Sequence, residues 1–554
     1  MKHNHTFHPL AVVLCLAALC GCSDLLDEAP DNRTEINSAQ KVRQLLTSAY
    51  PSSCPAVICE LSADTYEDNN VLLAATHNSA YSDWQDEAFS WSDIVTYSSG
   101  EDDTPYDTWD SYYQGIAVCN QALESITALE AKGATARNVI NRLRGEALVL
   151  RAYLHFTLVN VFAQAYKDSL SSLQDLGIPY VTKPETVVHV DYDRPSVTEN
   201  YASIERDLQE GLPLVDDAAY EVRAYHMNQN AANAFAARFY VYKRDWAKAE
   251  RYATAALGTN PSSMLRKWSS MTGTSPTTKN NWYNDETASC NFLIQSTYSL
   301  QDRMLSACRY AINGTAQSVH TYGSGPCWSG TLPCYVGNIY IWGAGQEYGV
   351  WMFRVYEYFE YTDKIAGIGY VHMLYQPFTA EETLLCRAEA RLYLGDKAGC
   401  IDDLNTWAAS KLCTQQLTES RCRSFYTSGR SGYVCPVSVD RMGWSAADVA
   451  TATGSKHLVD CILHFRRIET LYEGLRWFDV KRYGIPLVHT WQGPLDDNPT
   501  TDTLLWDDPR RALQIPNDVV QAGLVPNDRT TASGSNGTDQ HGVLTVASAP
   551  AVLN

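Results

Sequence analysis

The chain has 554 residues, 63 acidic against 43 basic, a formal net charge of −20 and 16 cysteines. That length allows about three domains and a large buried core, and the acidic balance argues against a nucleic-acid partner, which calls for a basic face. Tyr (34) far outnumbers Phe (13), which suits a half-exposed binding surface and equally suits rings packed between helices.

At the N-terminus, Lys2 precedes an apolar run over residues 10–19. The run has the length of a signal-peptide core and falls short of the ~20 residues that span a bilayer. It ends in Leu19-Cys20-Gly21-Cys22, the pattern that lipoprotein signal peptidase cuts. The expectation is a signal peptide over 1–21, lipidation of Cys22, and a polar tether over 22–38 that opens with Ser23 and Asp24. No other run approaches ~20 apolar residues, so the lipid is the one membrane attachment expected. Setting aside Cys15, Cys20 and Cys22 leaves an odd number of cysteines, so at least one thiol stays unpaired in a monomer. Cys54/Cys59 and Cys327/Cys334 are close enough in sequence to pair. No CxxC or His-rich partner accompanies them, so no zinc site is expected.

The main domain is expected over 39–529, beginning with a short helix over 39–50. Glu101 to Asp103 and Pro105 mark a loop. Residues 109–129 form an amphipathic helix with Tyr112, Tyr113, Ile116, Leu123 and Ile126 near one face. Residues 141–166 form the longest helix, with Leu143, Ala147, Leu150, Leu154 and Leu158 at spacings of three and four. Gly177-Ile178-Pro179 is a stop signal. Ser196 or Thr198 can cap the next helix, which ends near Gly211.

Two helical hairpins share one design. Residues 230–243, a turn at Arg244-Asp245 and a helix to Leu257 make the first; 381–394, a turn at Gly395-Asp396 and a helix to Trp407 make the second. Alanines at the contact positions allow close approach, the logic of a tetratricopeptide repeat. The stretch 262–378 between them is rich in Ser, Thr, Asn, Gly, Trp and Tyr and reads as a loop-rich insert with short strands, including Asn281-Trp282-Tyr283 and Tyr340-Ile341-Trp342. Residues 530–554 read as a mobile tail.

In this order the motifs resemble the SusD/RagB family of outer-membrane nutrient-binding lipoproteins. The resemblance begins at Cys22-Ser23-Asp24-Leu25-Leu26-Asp27 and Pro30 to Thr34, and continues through the Gly145-Glu146-Ala147 helix, with Arg151, Ala152, Tyr153 and Phe156, and through Arg194-Pro195-Ser196-Val197. Its most specific part is the C-terminal signature over 464–516: Arg466-Arg467-Ile468-Glu469, Tyr472-Glu473-Gly474, Arg476-Trp477-Phe478-Asp479 and Leu513-Gln514-Ile515-Pro516. The family's Asn-Pro-Gly-Tyr ending is absent. The resemblance implies a mainly α, SusD-like fold, with tetratricopeptide-like hairpins on one side and an irregular, short-strand, ligand-facing side on the other. It implies a surface lipoprotein of the outer membrane that captures an oligosaccharide and passes it to a SusC-like TonB-dependent transporter. The alternatives are a peptide or glycopeptide ligand, or a glycoside hydrolase on a helical scaffold.

Sugar binding needs aromatic faces against pyranose C–H groups and short polar side chains for hydroxyls. The loop residues meeting that description are Asp64, Tyr66, Asn69, Trp84, Trp91, Trp282, Tyr283, Trp328, Tyr340 and Trp342. They are expected to bind from loops over 60–110 and 262–350. The charged residues Glu146, Arg151, Arg467, Glu469, Glu473, Arg476 and Asp479 are expected to form structural ion pairs. Glu469 and Glu473, one helical turn apart, could mimic a glycosidase pair, but neighbouring arginines would keep both ionised, which does not suit a general acid. No HExxH, Walker or GxSxG pattern appears, and neither a cofactor nor a metal is expected. Asp102-Asp103 and Asp507-Asp508 read as solvated surface rather than calcium ligands.

Overall fold

The computed structural model describes residues 36–69, 81–98, 100–187, 190–305, 309–312, 316–317, 319, 322–336, 340–341, 350–427, 433–492 and 499–530. The signal peptide, Cys22, most of the tether, Trp342 and the tail after 530 lie outside them.

The chain opens with α1 (Ala39–Thr47), capped by the Ser38 hydroxyl, then α2 (Ala56–Ser62), β1 (Glu67–Asp68) and α3 (Trp84–Phe89). The next helix, α4 (Pro105–Lys132), starts a turn earlier than the sequence pattern suggests. Thr104 accepts from Asp107 N, and Pro105 takes the first helical position, where its missing N–H costs nothing. α5 (Arg137–Phe162) packs between α4 and α6 (Val197–Gly211), which begins at a Ser196/Glu199 capping box. Gly145 of α5 lets the turn over Leu212–Leu214 that follows α6 come close, since a Cβ there would lie 2.7 Å from the Leu214 carbonyl carbon.

The first hairpin is α7 (Gln229–Lys243) and α8 (Trp246–Leu257). The insert then supplies α9 (Pro276–Tyr283), β2 (Asn291–Thr297), α10 (Gln301–Leu305), β3 (Tyr310–Ala311), β4 (Tyr340–Ile341), β5 (Val350–Trp351), β6 (Glu357–Asp363) and β7 (Ile368–Thr379). The second hairpin is α11 (Ala380–Tyr393) and α12 (Lys397–Ser410). Both hairpins turn alike: a left-handed residue, Arg244 (φ 62°) or Gly395 (φ 84°), precedes an aspartate, Asp245 or Asp396, that caps the second helix. Arg244 tolerates the conformation with its guanidinium over the Tyr166 and Trp444 rings. α13 (Glu419–Thr427), α14 (Ala446–Gly454), α15 (Lys456–Glu469), α16 (Leu475–Tyr483), β8 (Leu487–Trp491), β9 (Thr500–Leu504) and α17 (Asn517–Gln521) complete the order.

The insert is more regular than its composition suggests. Asn281-Trp282-Tyr283 closes a helix, because Ser275 caps Thr278 N and Pro276 starts the turn. β2, β7 and β6 form an antiparallel three-stranded sheet in that order.

The helices meet in an aromatic core where Phe156, Tyr201, Phe235, Phe239 and Tyr242 interlock edge to face or stacked. Each such ring contributes about 1.5–3 kcal/mol by leaving water. His155 is a core residue, stacked on Tyr180 at 3.9 Å, its Nδ1 on the Arg151 carbonyl and its Nε2 accepting from Val181 N. Burial drives its pKa down to about 3.

At the centre lies α11, buried on nearly every side, with three carboxylates at or below 1% exposure, each matched by a buried arginine. Glu381 meets Arg266 at 2.8 Å, Glu382 meets Arg238 at 3.1 Å and Arg466 at 3.2 Å, and Glu389 meets Arg482 at 2.7 Å. Removing either partner of such a pair leaves a buried charge, at a cost of about 3–5 kcal/mol. The described cysteines are all free thiols, including Cys54, Cys59, Cys327 and Cys334, so neither pairing suggested by spacing is made. No described helix is long and apolar enough to cross a membrane.

Candidate ligand-binding face

The loop segments singled out by composition meet at one side chain. β1 pairs antiparallel with β3, bringing Asp68 opposite Tyr310. Beside it, Arg309 is 1% exposed and grips Asp68 through two N–H groups at 3.0 Å each. The same guanidinium donates to Asp86 at 2.8 Å and to the Gln492 carbonyl at 2.6 Å, and Tyr81 and Tyr310 donate their hydroxyls to Asp86. Four segments distant in sequence are thus tied at one cation, and Tyr81 is left half-buried at the edge.

A second feature lies on the sheet. Side chains alternate across a strand, so Tyr358 and Glu360 of β6 share a face with His372 and Tyr370 of β7, in the register Tyr358↔His372 and Glu360↔Tyr370. Tyr358 stacks on His372 at 5.5 Å, and Tyr370 meets Tyr298, at the end of β2, edge-on at 5.1 Å. Asn280 of α9 and Asn284 at its C-terminal cap both direct side-chain amides at the Tyr358 hydroxyl, at 2.8 and 3.2 Å. Hydrogen bonding to Glu360, with some burial, pushes the Tyr370 hydroxyl pKa up to about 12. Tyr298 is 41% exposed; Tyr358, Tyr370 and His372 are half-buried. The result is a strip of four partly open rings with amide and carboxylate groups beside it. The sequence reading missed it, though the period-two spacing of Tyr356 and Tyr358, and of Tyr370 and His372, carried a signal. α10 joins strip to node: it follows Tyr298 and precedes Arg309, and its Arg303 holds Glu357 of β6 at 2.6 Å.

Several candidates fall elsewhere. Trp84 is fully buried, its indole N–H on Glu101 at 2.9 Å. Trp91, 1% exposed, stacks on His489 at 4.1 Å and donates to the Ser62 carbonyl. Trp328, 6% exposed, packs on Gly325, where a Cβ would lie 2.2 Å from the ring, and donates to the Gly323 carbonyl. Tyr283 lies buried 4.0 Å beneath the Arg266 guanidinium, and Tyr66 and Asn69 are buried too. Rings so enclosed have no face left for a sugar; they are core, because the loops fold back onto the helices. Asp64 is a structural ion-pair partner, held by Arg476 at 2.7 and 2.8 Å and by Arg467 at 3.4 Å. Trp282 keeps part of its surface, packed edge-on to Trp268 at 5.5 Å. Tyr340 belongs to β4, paired with Trp351.

The charged signature makes its pairs across the fold rather than along one helix. α15 ends at Glu469, and the chain turns through left-handed Tyr472 (φ 71°) and Gly474 (φ 74°), so Glu469 and Glu473 do not share a helix. Burial opposes ionisation of Glu469, but Lys411 at 2.6 Å and the Arg354 guanidinium hold its pKa below the ordinary value. Burial likewise opposes ionisation of Asp479, which Arg466 (2.9 Å) and Arg482 (2.8 Å) overcome. Glu473 differs from expectation: burial pushes its pKa up to about 7 despite Arg354 at 3.3 Å. One carboxyl held down and a neighbour held up is an acid–base pattern. Glu473 however lines a cavity of about 10 Å³, room for a single water and too small for a sugar. Glu146 accepts from Tyr50 at 2.7 Å and meets His226 at 2.9 Å, and Arg151 grips Asp207 at 2.7 and 2.9 Å.

No group of described residues has the make-up of a metal site. Asp103 accepts from the Ser299 hydroxyl at 2.7 Å and from Leu300 N at 2.8 Å, and Asp508 caps the turn before Arg510 and pairs with it.

Residues 24–241 match a family model described as SusD-like_3, starch-binding associating with outer membrane. No curated protein matches the sequence. Among solved structures, a SusD superfamily protein from Bacteroides thetaiotaomicron VPI-5482 is 16% identical, with a TM-score of 0.55, over 90% of this chain and 100% of its own. A putative sugar binding protein from Bacteroides vulgatus ATCC 8482 is 16% identical, TM-score 0.57, over 90% and 99%. A laminarin binding SusD-like protein is 14% identical, TM-score 0.52, over 88% and 98%. Residues 24–241 thus carry the SusD-like sequence pattern, and nearly the whole chain has the fold of these SusD-like structures.

Proposed function

We propose that this protein is a lipid-anchored surface protein of the outer membrane that binds a glycan and delivers it to a SusC-like TonB-dependent transporter, without catalysing any reaction on it. The strip of Tyr298, Tyr370, His372 and Tyr358, with Asn280, Asn284 and Glu360 at its edge, carries the binding part of this reading. Partly open rings cover sugar C–H faces, and amides and a carboxylate take the hydroxyls. Trp282 and Tyr81, both partly open, extend the candidate face. The laminarin-binding relative makes a β-glucan the first ligand to try. Glu473 lines a cavity too small for a sugar, which supports binding over hydrolysis, and the net charge of −20 fits a neutral ligand better than an anionic one.

The test is calorimetry with laminarin, starch oligosaccharides and a peptide digest, on the native protein and on a Tyr298→Ala/Tyr370→Ala variant. The expected result is glycan binding that weakens by about tenfold in the variant, on the scale of one or two aromatic contacts, with melting unchanged. Binding of peptides alone would move the ligand class, and full affinity in the variant would remove the strip from the site.

A further inference from the structure

A separate pocket shares none of its described lining residues with the strip or the Arg309 node. Trp109 and Tyr113 lie one turn apart on α4, their ring centroids 4.8 Å apart. With Val181 and Leu524 they wall a cavity of about 320 Å³, within the size range of small-ligand sites. The α17 segment closes one side through Val519.

The walls are held in place by polar bonds behind them. Tyr113 donates its hydroxyl to the Pro179 carbonyl at 2.8 Å, and Asn120 donates to the Val181 carbonyl at 3.1 Å. Arg194 clamps the two sides together, donating to the Gly177 carbonyl at 2.7 Å, the Val525 carbonyl at 2.8 Å and Asn527 Oδ1 at 2.7 Å. A pocket held this way needs little ordering when a ligand enters.

The charged side chains among the pocket's described lining residues are carboxylates. Glu185 and Asp191 both line the pocket, and no Lys, Arg or His is among its described lining residues. Tyr192 donates to Glu185 at 2.6 Å, fixing that carboxylate beside its own ring. Arg194, a buried cation within electrostatic reach of Tyr113, spends its donors on the Gly177 and Val525 carbonyls and on Asn527 behind the wall. Aromatic faces next to carboxylates attract a cation twice, through the ring quadrupole and through Coulomb attraction, and repel an anion.

We propose that this pocket binds an organic cation, a quaternary ammonium or alkylammonium group carried on an apolar body. The ammonium lies against Trp109, Tyr113 and Tyr192 with Glu185 as counter-charge, and the apolar body lies along Val181 and Leu524. The site is independent of the glycan face, so occupation of one is not expected to require the other.

The experiment compares choline with 3,3-dimethylbutan-1-ol, its uncharged isostere, by saturation-transfer NMR and calorimetry on the purified full-length protein. The proposal expects choline to bind at least about tenfold more tightly than the alcohol. Glu185→Gln, an exposed-loop change that leaves melting unaltered, is expected to weaken choline several-fold, and Tyr113→Leu to weaken it further. Added salt is expected to weaken choline and leave the alcohol unchanged. Equal affinity for the two compounds, binding of neither, or choline binding insensitive to Glu185→Gln would each overturn the assignment. A glycan that competes with choline here would instead make the pocket part of the sugar site and overturn its independence.

Discussion

Arg309→Met tests whether one buried guanidinium organises the candidate face. Arg309 is 1% exposed and Asp68 is 3% exposed as side chains. The substitution takes both 3.0 Å bonds from Asp68, which keeps the Gln492 N–H at 2.9 Å. Asp86, 34% exposed, can turn to water, so Asp68 bears most of the loss. Breaking a buried pair from one side costs about 3–5 kcal/mol. An unfolding entropy of about 2.1 cal/mol/K per residue, over about 490 residues, gives a slope near 1 kcal/mol per degree, so the melting temperature is expected to fall by about 3–5 °C. Adding Asp68→Asn removes the stranded charge, and the double variant is expected to recover more than half of that drop. Calorimetric melting measures the stability, and glycan titration at 20 °C shows whether affinity falls as the β1, Tyr81 and β3 segments loosen. A melting change below about 1 °C, or a double variant no more stable than the single, refutes the reasoning.

Glu60 carries a pH signature. Burial pushes its carboxyl pKa up to about 7, with Gly474 N donating to it at 3.0 Å. The folded value lies above the unfolded one, so this group's stabilising contribution is complete below about pH 4.5 and is lost as pH rises through 7. Melting across pH 5–8 is expected to decline, less steeply in Glu60→Gln; identical slopes would contradict it. Trp84→Ala is expected to cost about 3–5 kcal/mol in stability, as for a core tryptophan, whereas Trp282→Ala is expected to melt almost normally, both read by denaturant titration. Cys22→Ala is expected to release the protein from the membrane fraction, checked by fractionation and lipid labelling, because the anchoring energy lies in acyl chains at about 0.8 kcal/mol per CH₂.

The scaffold was readable in the sequence where the signal is local. Of the two caps offered for α6, Ser196 is the one used, and the turns at Arg244-Asp245 and Gly395-Asp396 lie where the sequence pattern puts them. The spacing of Leu143, Leu150 and Leu154 identified α5 because helical periodicity is also local. The start of α4 was misread because Pro105, taken for a breaker, begins the helix.

The site residues depended on more. Trp84, Trp91 and Trp328 lie beside short polar residues, as an exposed platform would, and all three are buried; composition cannot say which side of a loop faces the helices. Asp64 reads as a loop acid, but its partners Arg467 and Arg476 lie about 400 positions along the chain.

Taken alone, the sequence determined the family resemblance, the helical hairpins and their turns, and the expectation of a lipidated Cys22, because each rests on contacts or spacings within a few residues. Only the tertiary structure decided which aromatics stay open, that Tyr298, Tyr370, His372 and Tyr358 form one strip, and that Arg309 ties four distant segments together. Exposure and long-range ion pairing depend on how the whole chain closes over itself, and no local spacing records that.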